Sequence, residues 1–291
     1  MKSFLVRVSL SLAVICAPAV LAAQNADSVA SPLVAAAPTT LNAALSSNGQ
    51  PQKTFFTRRD LGYAAVALVG TGVISIFDPR IARYTQHADI QGGTSRHNLV
   101  HNLTKVNETT LTAAALLTYG AGRLTGHSTV ADVGLHTMES VVLTSVISQA
   151  IRGPLGRTRP SVNINDQYHF QPFKGFSNFD NRSFPSLHSA TAFAAAASLV
   201  GEIHNRNPDA SWIAAPLLYG AAAVPGLTRM YLNQHWASDV VAGAFVGTLI
   251  GSRVVSYAHS HNKSKLDKFL LGSSIGPNGT GGMAVSANLA R

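Results

Sequence analysis

Apolar residues recur along the chain in six stretches: Leu61 to Phe77, Thr110 to Leu124, Val130 to Ile151, Ser189 to Ile203, Ser211 to Leu227 and Ser238 to Tyr257. Their spacing predicts six helices, and the connections carry breakers at Asp78-Pro79, Gly92-Gly93, Gly153-Pro154 and Asn207-Pro208. No repeat of 20 to 50 residues is visible. The fold class predicted is all-α, a single bundle of about six core helices over residues 58–268. Residues 24–57, rich in Ala, Ser, Pro, Asn and Thr, read as a flexible linker. In the Gly-rich tail 269–291, Met283, Val285, Ala287 and Leu289 alternate with smaller or polar residues after a turn cluster, a weak signal for a short β-hairpin.

Residues 1–23 place Lys2 and Arg7 before a mostly apolar run and end on Ala22 and Ala23, the layout of a signal peptide. The expected protein is therefore exported and periplasmic. Cys16 is the single cysteine and lies in that run, so the mature chain would have no thiolate chemistry and no disulfides. The alternative is an uncleaved anchor, but the apolar core is shorter than the ~20 residues a span needs. Removal of the leader changes the formal charge from +9 to +7, still favouring an anionic partner.

Only 12% of residues are charged, which fits a packed or membrane-embedded helical protein. Asp132, His136 and Glu139 run through the third predicted helix, and ionisable groups at that depth are expensive in lipid. The expectation is accordingly a soluble bundle, or one peripherally associated with a membrane, rather than six spans. Nothing in the sequence sets an oligomeric state.

Three segments carry candidate chemistry. In the first, Arg152 to Pro160, three arginines fall on a Gly/Pro-broken loop just after a helix, and their planar forks match phosphate oxygens. In the second, Pro185-Ser186-Leu187-His188 leads into a helix whose first N–H groups are free to bind an anion. In the third, Thr228-Arg229 precedes His235 and Asp239, whose spacing of four puts them on one helical face if the helix has begun at the histidine. A carboxylate holding Nδ1–H would leave Nε2 free to attack. Each segment alone has an ordinary alternative: a solvated basic loop, a serine N-cap beside a histidine, and a surface His–Asp pair or an aspartate cap. Together they supply the cations, nucleophile, orienting acid and proton donor that phosphoryl transfer needs.

The chain here resembles the type 2 phosphatidic acid phosphatase superfamily, whose signature is Lys-x6-Arg-Pro, Pro-Ser-Gly-His and Ser-Arg-x5-His-x3-Asp. Arg152, Arg159 and Pro160 fit the first part, Pro185 to His188 the second, and Thr228, Arg229, His235 and Asp239 the third. The resemblance covers about residues 60 to 258. It implies metal-independent hydrolysis of phosphate monoesters, including those of membrane lipids. His235 would form a phosphohistidine, Asp239 orient it and His188 donate the proton, while Arg152, Arg159, Ser186, Leu187 and Arg229 bind phosphate. No cofactor is implied, although vanadate could occupy the same site.

Three positions depart from the signature. Arg152 replaces lysine and Thr228 serine, keeping charge and hydroxyl. Leu187 replaces glycine, which would be costly if φ there were positive. The resemblance also admits a vanadium-dependent haloperoxidase, and Leu187 admits an impaired phosphate or anionic-lipid binding module. Nucleic acid is not an expected partner, because no basic helix or RNA-binding motif is present. His97 and His101 have no nearby carboxylate to suggest a metal site. Tyr168, Phe170, Phe173, Phe176, Phe179 and Trp236 are candidates for a substrate mouth or for packing.

Overall fold

A computed structural model describes residues 54–260. Within them the chain forms nine α-helices and no strand. The helices are α1 (Arg58–Ser75), α2 (Asp78–Thr85), α3 (Ala88–Gln91), α4 (Thr94–Leu103), α5 (Glu108–Leu124), α6 (Ser128–Leu155), α7 (Leu187–Arg206), α8 (Pro208–Tyr231) and α9 (Ala237–Ser260). The six long ones, α1 and α5 to α9, are the predicted six; α5 to α9 reach a few residues beyond the predicted bounds, whereas α1 starts earlier, at Arg58, and stops at Ser75, two residues short of Phe77. The leader, nearly all of the linker, the tail with its hairpin signal, and residues 261–268 lie outside the described residues.

Capping explains several boundaries. Asn107 accepts from Thr109 N and Thr110 N at the start of α5, and Asn207 accepts from Ala210 N just before Pro208 opens α8. Gly156, at φ 60°, ends α6 in the left-handed conformation. The Gly153-Pro154 pair does not break that helix, which runs to Leu155 and so carries Arg152 in its last turn rather than on a loop. Asp78-Pro79 likewise opens α2 instead of remaining irregular.

The long helices alternate in direction. His136 meets Glu202 while Arg152 meets Pro185, so α6 and α7 are antiparallel. Ser186 meets Asp239 while Glu202 meets His259, so α7 and α9 run parallel with α8 returning between them. Arg253 binds Asp60, which sets α1 antiparallel to α9. All the long connections, 76–107, 156–186 and 232–236, therefore lie at one end. The short ones, 125–127 and 207, lie at the other.

Close packing at the centre depends on small residues. Gly243, Gly247 and Gly251, one turn apart on α9, face the α7 backbone at Ser186, Ala190 and Ala194. A Cβ at Gly247 would collide with the Ala190 carbonyl. This is the small-xxx-small spacing that lets two helices approach closely in a membrane.

Three described helices, α6, α8 and α9, are long and apolar enough to cross a membrane, or four spans if α1 and α2, bent by 59°, count as one. This corrects the expectation of a soluble or merely peripheral bundle, and the ionisable groups on α6 show why. His136 and Glu139 are buried inside the bundle, and Asp132 is exposed, five residues into the helix and close to Arg206. Ionisable groups that face protein do not penalise a span as lipid-facing ones would. The outer surfaces of α1, α5 and α8 expose Leu61, Leu68, Val69, Leu117, Ile213 and Leu217 instead.

Gly247→Ala is expected to lower stability by about 1–3 kcal/mol through overpacking against α7. Gly220→Ala, where an added Cβ meets nothing within 4 Å, should be neutral or raise stability by up to ~1 kcal/mol. Unfolding of both variants in detergent checks the contrast.

Candidate active site

The three motif segments meet at the end of the bundle that carries the long connections. Arg152, in the last turn of α6, donates from Nη2 to the Pro185 carbonyl at 2.9 Å, joining the first segment to the second. Arg159 donates from Nη1 to Gln234 Oε1 at 2.6 Å and to the Gln234 carbonyl at 3.1 Å, joining the first to the third. Ser186 N donates to the Asp239 carbonyl at 3.0 Å, joining the second to the third.

Ser186 is the N-cap of α7, yet its side chain makes no capping bond. Its hydroxyl is fully buried with no partner, as are Arg152 Nε and Arg229 Nε. Buried donors ordinarily find acceptors. A cluster of unpartnered donors, two of them on cations, above an uncapped helix N-terminus is arranged for an anion. Leu187 is the first residue of α7, and its φ is not positive, so the departure from glycine brings no backbone strain.

Arg152 and Arg159 are buried, while Arg229 and His188 are half-buried. Arg229, Arg152 and Arg159 all act electrostatically on His188, and Arg159 and Arg152 also act on His235. The two imidazoles thus share one cationic environment. Arg159 is itself held below the ordinary guanidinium value by burial and by repulsion from Arg229 and Arg152. Its Nε and Nη1 bond protein oxygens, its Cζ lies 3.9 Å from the Phe179 ring centroid, and Nη2 has only a 3.4 Å contact to the Arg182 carbonyl.

His235 precedes α9 instead of lying on it, so the condition for an i, i+4 helical pair is not met. The pair forms nonetheless: Nδ1 lies 3.6 Å from Asp239 Oδ2, an orienting approach slightly beyond hydrogen-bond length. Burial pushes the His235 imidazole down to about 3, against the opposing pull of Asp239. The ring is therefore neutral at ordinary pH, with its lone pair available. Asp239 also accepts Trp236 N at 2.8 Å, so the aspartate caps α9 while it faces the histidine.

Sequence reasoning treated Arg157 only as one of three clustered arginines and missed its role. It is buried and bridges two carboxylates: Nη1 reaches Asp239 Oδ1 at 2.5 Å and Ser238 Oγ at 2.8 Å, and Nη2 reaches Asp78 Oδ2 at 2.9 Å. Ser183 Oγ donates to Asp239 Oδ2 at 2.5 Å, and Ser238 N donates to Asp78 Oδ1 at 2.9 Å. No spacing rule could have paired Asp78 with residues about 80 and 160 positions away. Thr228, matched to the signature, uses its hydroxyl on the Pro225 carbonyl within α8. Among the aromatics, Trp236 is buried and donates to the Thr158 carbonyl, whereas Tyr168, Phe170, Phe173, Phe176 and Phe179 are exposed on the connection 156–186. His97 and His101 lie exposed on α4.

Residues 133–263 match the family model described as PAP2 superfamily. This match, to a stretch that holds all three motif segments, places residues 133–263 in the PAP2 superfamily. Similar curated proteins include a lipid A 1-phosphatase of Porphyromonas gingivalis, 30% identical over 197 residues, which cover 60% of this chain and 41% of that protein. A lipid A 1-phosphatase of Rhizobium johnstonii is 32% identical over 122 residues, 40% of this chain and 45% of the relative. The matched part thus spans less than half the length of either. A transmembrane PAP2 type phosphatidylglycerolphosphate phosphatase from Bacillus subtilis shares the fold at TM-score 0.54 and 18% identity, covering 70% of this chain and 97% of that one. All three PAP2 motif segments fall within the matched range, whereas Asp78, which braces Arg157, lies outside it.

The two classes of arginine should separate experimentally. Arg157→Met leaves Asp78 and Asp239 buried without their cation and should cost about 3–5 kcal/mol of stability. Arg229→Met should leave stability nearly unchanged but weaken phosphate or vanadate binding by roughly 10- to 150-fold, the loss of a charged hydrogen bond. Denaturation and ligand titration of both variants in detergent provide the test.

Proposed function

We propose that this protein is an integral membrane phosphatase that hydrolyses phosphate monoesters of lipids through a phosphohistidine at His235. The observation that carries the reading is the set of buried, unpartnered donors on Arg152, Arg229 and Ser186 beside two imidazoles. In the first step the His235 Nε2 lone pair forms a bond to phosphorus as the P–O bond to the leaving group breaks. His188 gives that alkoxide a proton. Asp239 stabilises the imidazolium through Nδ1–H, while Arg152, Arg159, Arg229, Ser186 Oγ and the N–H groups of Leu187 and His188 hold the phosphoryl oxygens. In the second step His188 takes a proton from water, which attacks phosphorus as the N–P bond breaks, releasing inorganic phosphate and restoring His235.

A lipid substrate is favoured over a soluble ester by position. Tyr168, Phe170, Phe173, Phe176 and Phe179 are exposed on the connection 156–186, at the site end of an apolar bundle, and aromatic side chains settle at the level of lipid headgroups. The names of the curated relatives point the same way, toward a phosphate carried on lipid A.

Up-and-down packing requires more crossings than hydropathy alone selects. If α6 and α8 both cross from the short-connection end to the site end, α7 must return between them, shielded by its neighbours. By the same reasoning α5 returns between α1 and α6. Arg58 and the site then lie on opposite faces. The connections at the site end hold Arg80, Arg83, Arg96, Lys105, Lys174 and Arg182 besides the site arginines, against Arg58, Arg59, Arg123 and Arg206 at the other end, so charge bias does not assign the site to the outer face and labelling decides it.

Purified protein should release phosphate from phosphatidic acid or lipid A in EDTA, and faster than from a soluble aryl phosphate. Acid-sensitive, base-stable label from a radioactive substrate should be trapped on the wild type and absent from His235→Ala. Because His235 becomes protonated only near pH 3, its charging should give kcat/KM no acid limb between about pH 4 and 7. An acid limb in that range that persists in His188→Ala contradicts a neutral His235.

Ser177→Cys and Thr125→Cys, each with Cys16 replaced, separate the two orientations: reaction of Ser177→Cys alone with an impermeant maleimide on intact cells places the site on the outer face. The reversed pattern places the site in the cytoplasm.

A further inference from the structure

At the end of the bundle opposite the site, His136 of α6, Glu202 of α7 and His259 of α9 converge. His136 Nδ1 lies 2.5 Å from Glu202 Oε1, and His259 Nε2 lies 3.0 Å from the same oxygen. These potential ligand atoms all fall within 4.8 Å of one another, and the two imidazole rings meet edge to face with centroids 5.5 Å apart. Glu202 is fully buried and His136 nearly so, whereas His259 stands at the exposed rim. None of the three belongs to the phosphatase chemistry: Glu202 is 14 residues beyond His188 on the same helix, about 21 Å along its axis.

We propose that His136, Glu202 and His259 form a binding site for one divalent transition metal ion of the zinc type, which clamps the far ends of α6, α7 and α9.

The donor set is two imidazoles and a carboxylate, a combination zinc accepts with water in the fourth position. Tetrahedral zinc with bonds of about 2.0–2.1 Å holds its ligand atoms roughly 3.3–3.4 Å apart. The two observed separations to Glu202 Oε1 need only open by less than about 1 Å to reach that spacing. The other carboxylate oxygen, Oε2, is already engaged by Arg206 Nη1, which would leave Oε1 as the ligand and fix the carboxylate plane. Such outer hydrogen bonds to ligating carboxylates are a regular part of metal sites. Calcium and magnesium are poor candidates, because both prefer all-oxygen surroundings. The exposed edge of His259 supplies an entry path and room for the water ligand. The competing arrangement is a metal-free polar knot in which both imidazoles donate N–H to one carboxylate oxygen.

The full chain, purified in detergent with an affinity tag free of histidine and stripped with chelator, is titrated with Co²⁺. The expected result is one ion per chain with visible absorption of tetrahedral character, displacement by Zn²⁺, and a rise of several degrees in Tm on Zn²⁺ addition. His259→Ala, at the rim and outside the phosphatase machinery, should fold, keep phosphate release within twofold and lose both the absorption and the Tm response. Glu202→Gln should lose them as well if it folds. Dissociation constants weaker than ~10 µM for the wild type would overturn the proposal, leaving the metal-free knot. So would binding retained in His259→Ala, which would assign the ion to exposed histidines elsewhere. Neither outcome bears on the phosphatase reading, whose assay runs in EDTA.

Discussion

The carboxylate of Asp239 is the constraint on which the site depends. It is fully buried at the start of α9, and it gathers donors from three stretches of chain: Arg157 from the first motif segment, Ser183 from just before the second, and the Trp236 N–H from the third, with His235 waiting at 3.6 Å. A lone buried carboxylate would be prohibitive, whereas one surrounded by a guanidinium, a hydroxyl and an amide is held in a single position. Because the same group faces His235, the interactions that lock the chain together also fix the imidazole. Asp78 extends the lock by bracing Arg157 from the other side, which ties α2 to the site.

Much of this was legible in the sequence, for identifiable reasons. Long apolar stretches marked the six large helices, and arginine, histidine and aspartate at fixed offsets marked the three segments that converge. The polar stretch 78–105 hid α2, α3 and α4, whose short helices are held by caps and by contacts such as Gln86 and Gln91 to the Tyr231 carbonyl, with no apolar period to announce them. The bracing by Asp78 was invisible because it depends on chain reversal over many residues. The glycine ladder Gly243, Gly247 and Gly251 stood in the sequence in plain spacing, but its meaning required knowing that α9 packs on α7.

The ionisable residues of α6 misled the membrane reading because sequence does not show which face they occupy. His136 points into the bundle toward Glu202, and Asp132 is exposed near the start of the helix, close to Arg206. A helix in a multi-helix membrane protein can therefore carry such groups, provided the stripe it turns to lipid is apolar. The exposed surfaces of α1, α5 and α8 meet that condition with leucine, valine and isoleucine.

The arginines divide by what surrounds them, and the division explains why the site is built inside a bundle at all. Arg157 is fully partnered and contributes position. Arg152 and Arg229 keep donors without partners, and with Arg159 they repel one another across a space that protein acceptors do not fill. Mutual repulsion among buried cations opposes folding, so the arrangement persists only where the rest of the structure over-determines it. The tight α7–α9 seam supplies that excess directly beneath the cluster, since Gly243 packs against the Ser186 backbone. The positive charge left unmatched there is what a tetrahedral dianion would neutralise without rearranging the helices, so the proposed phosphate site and the cost of building it come from one arrangement of cations.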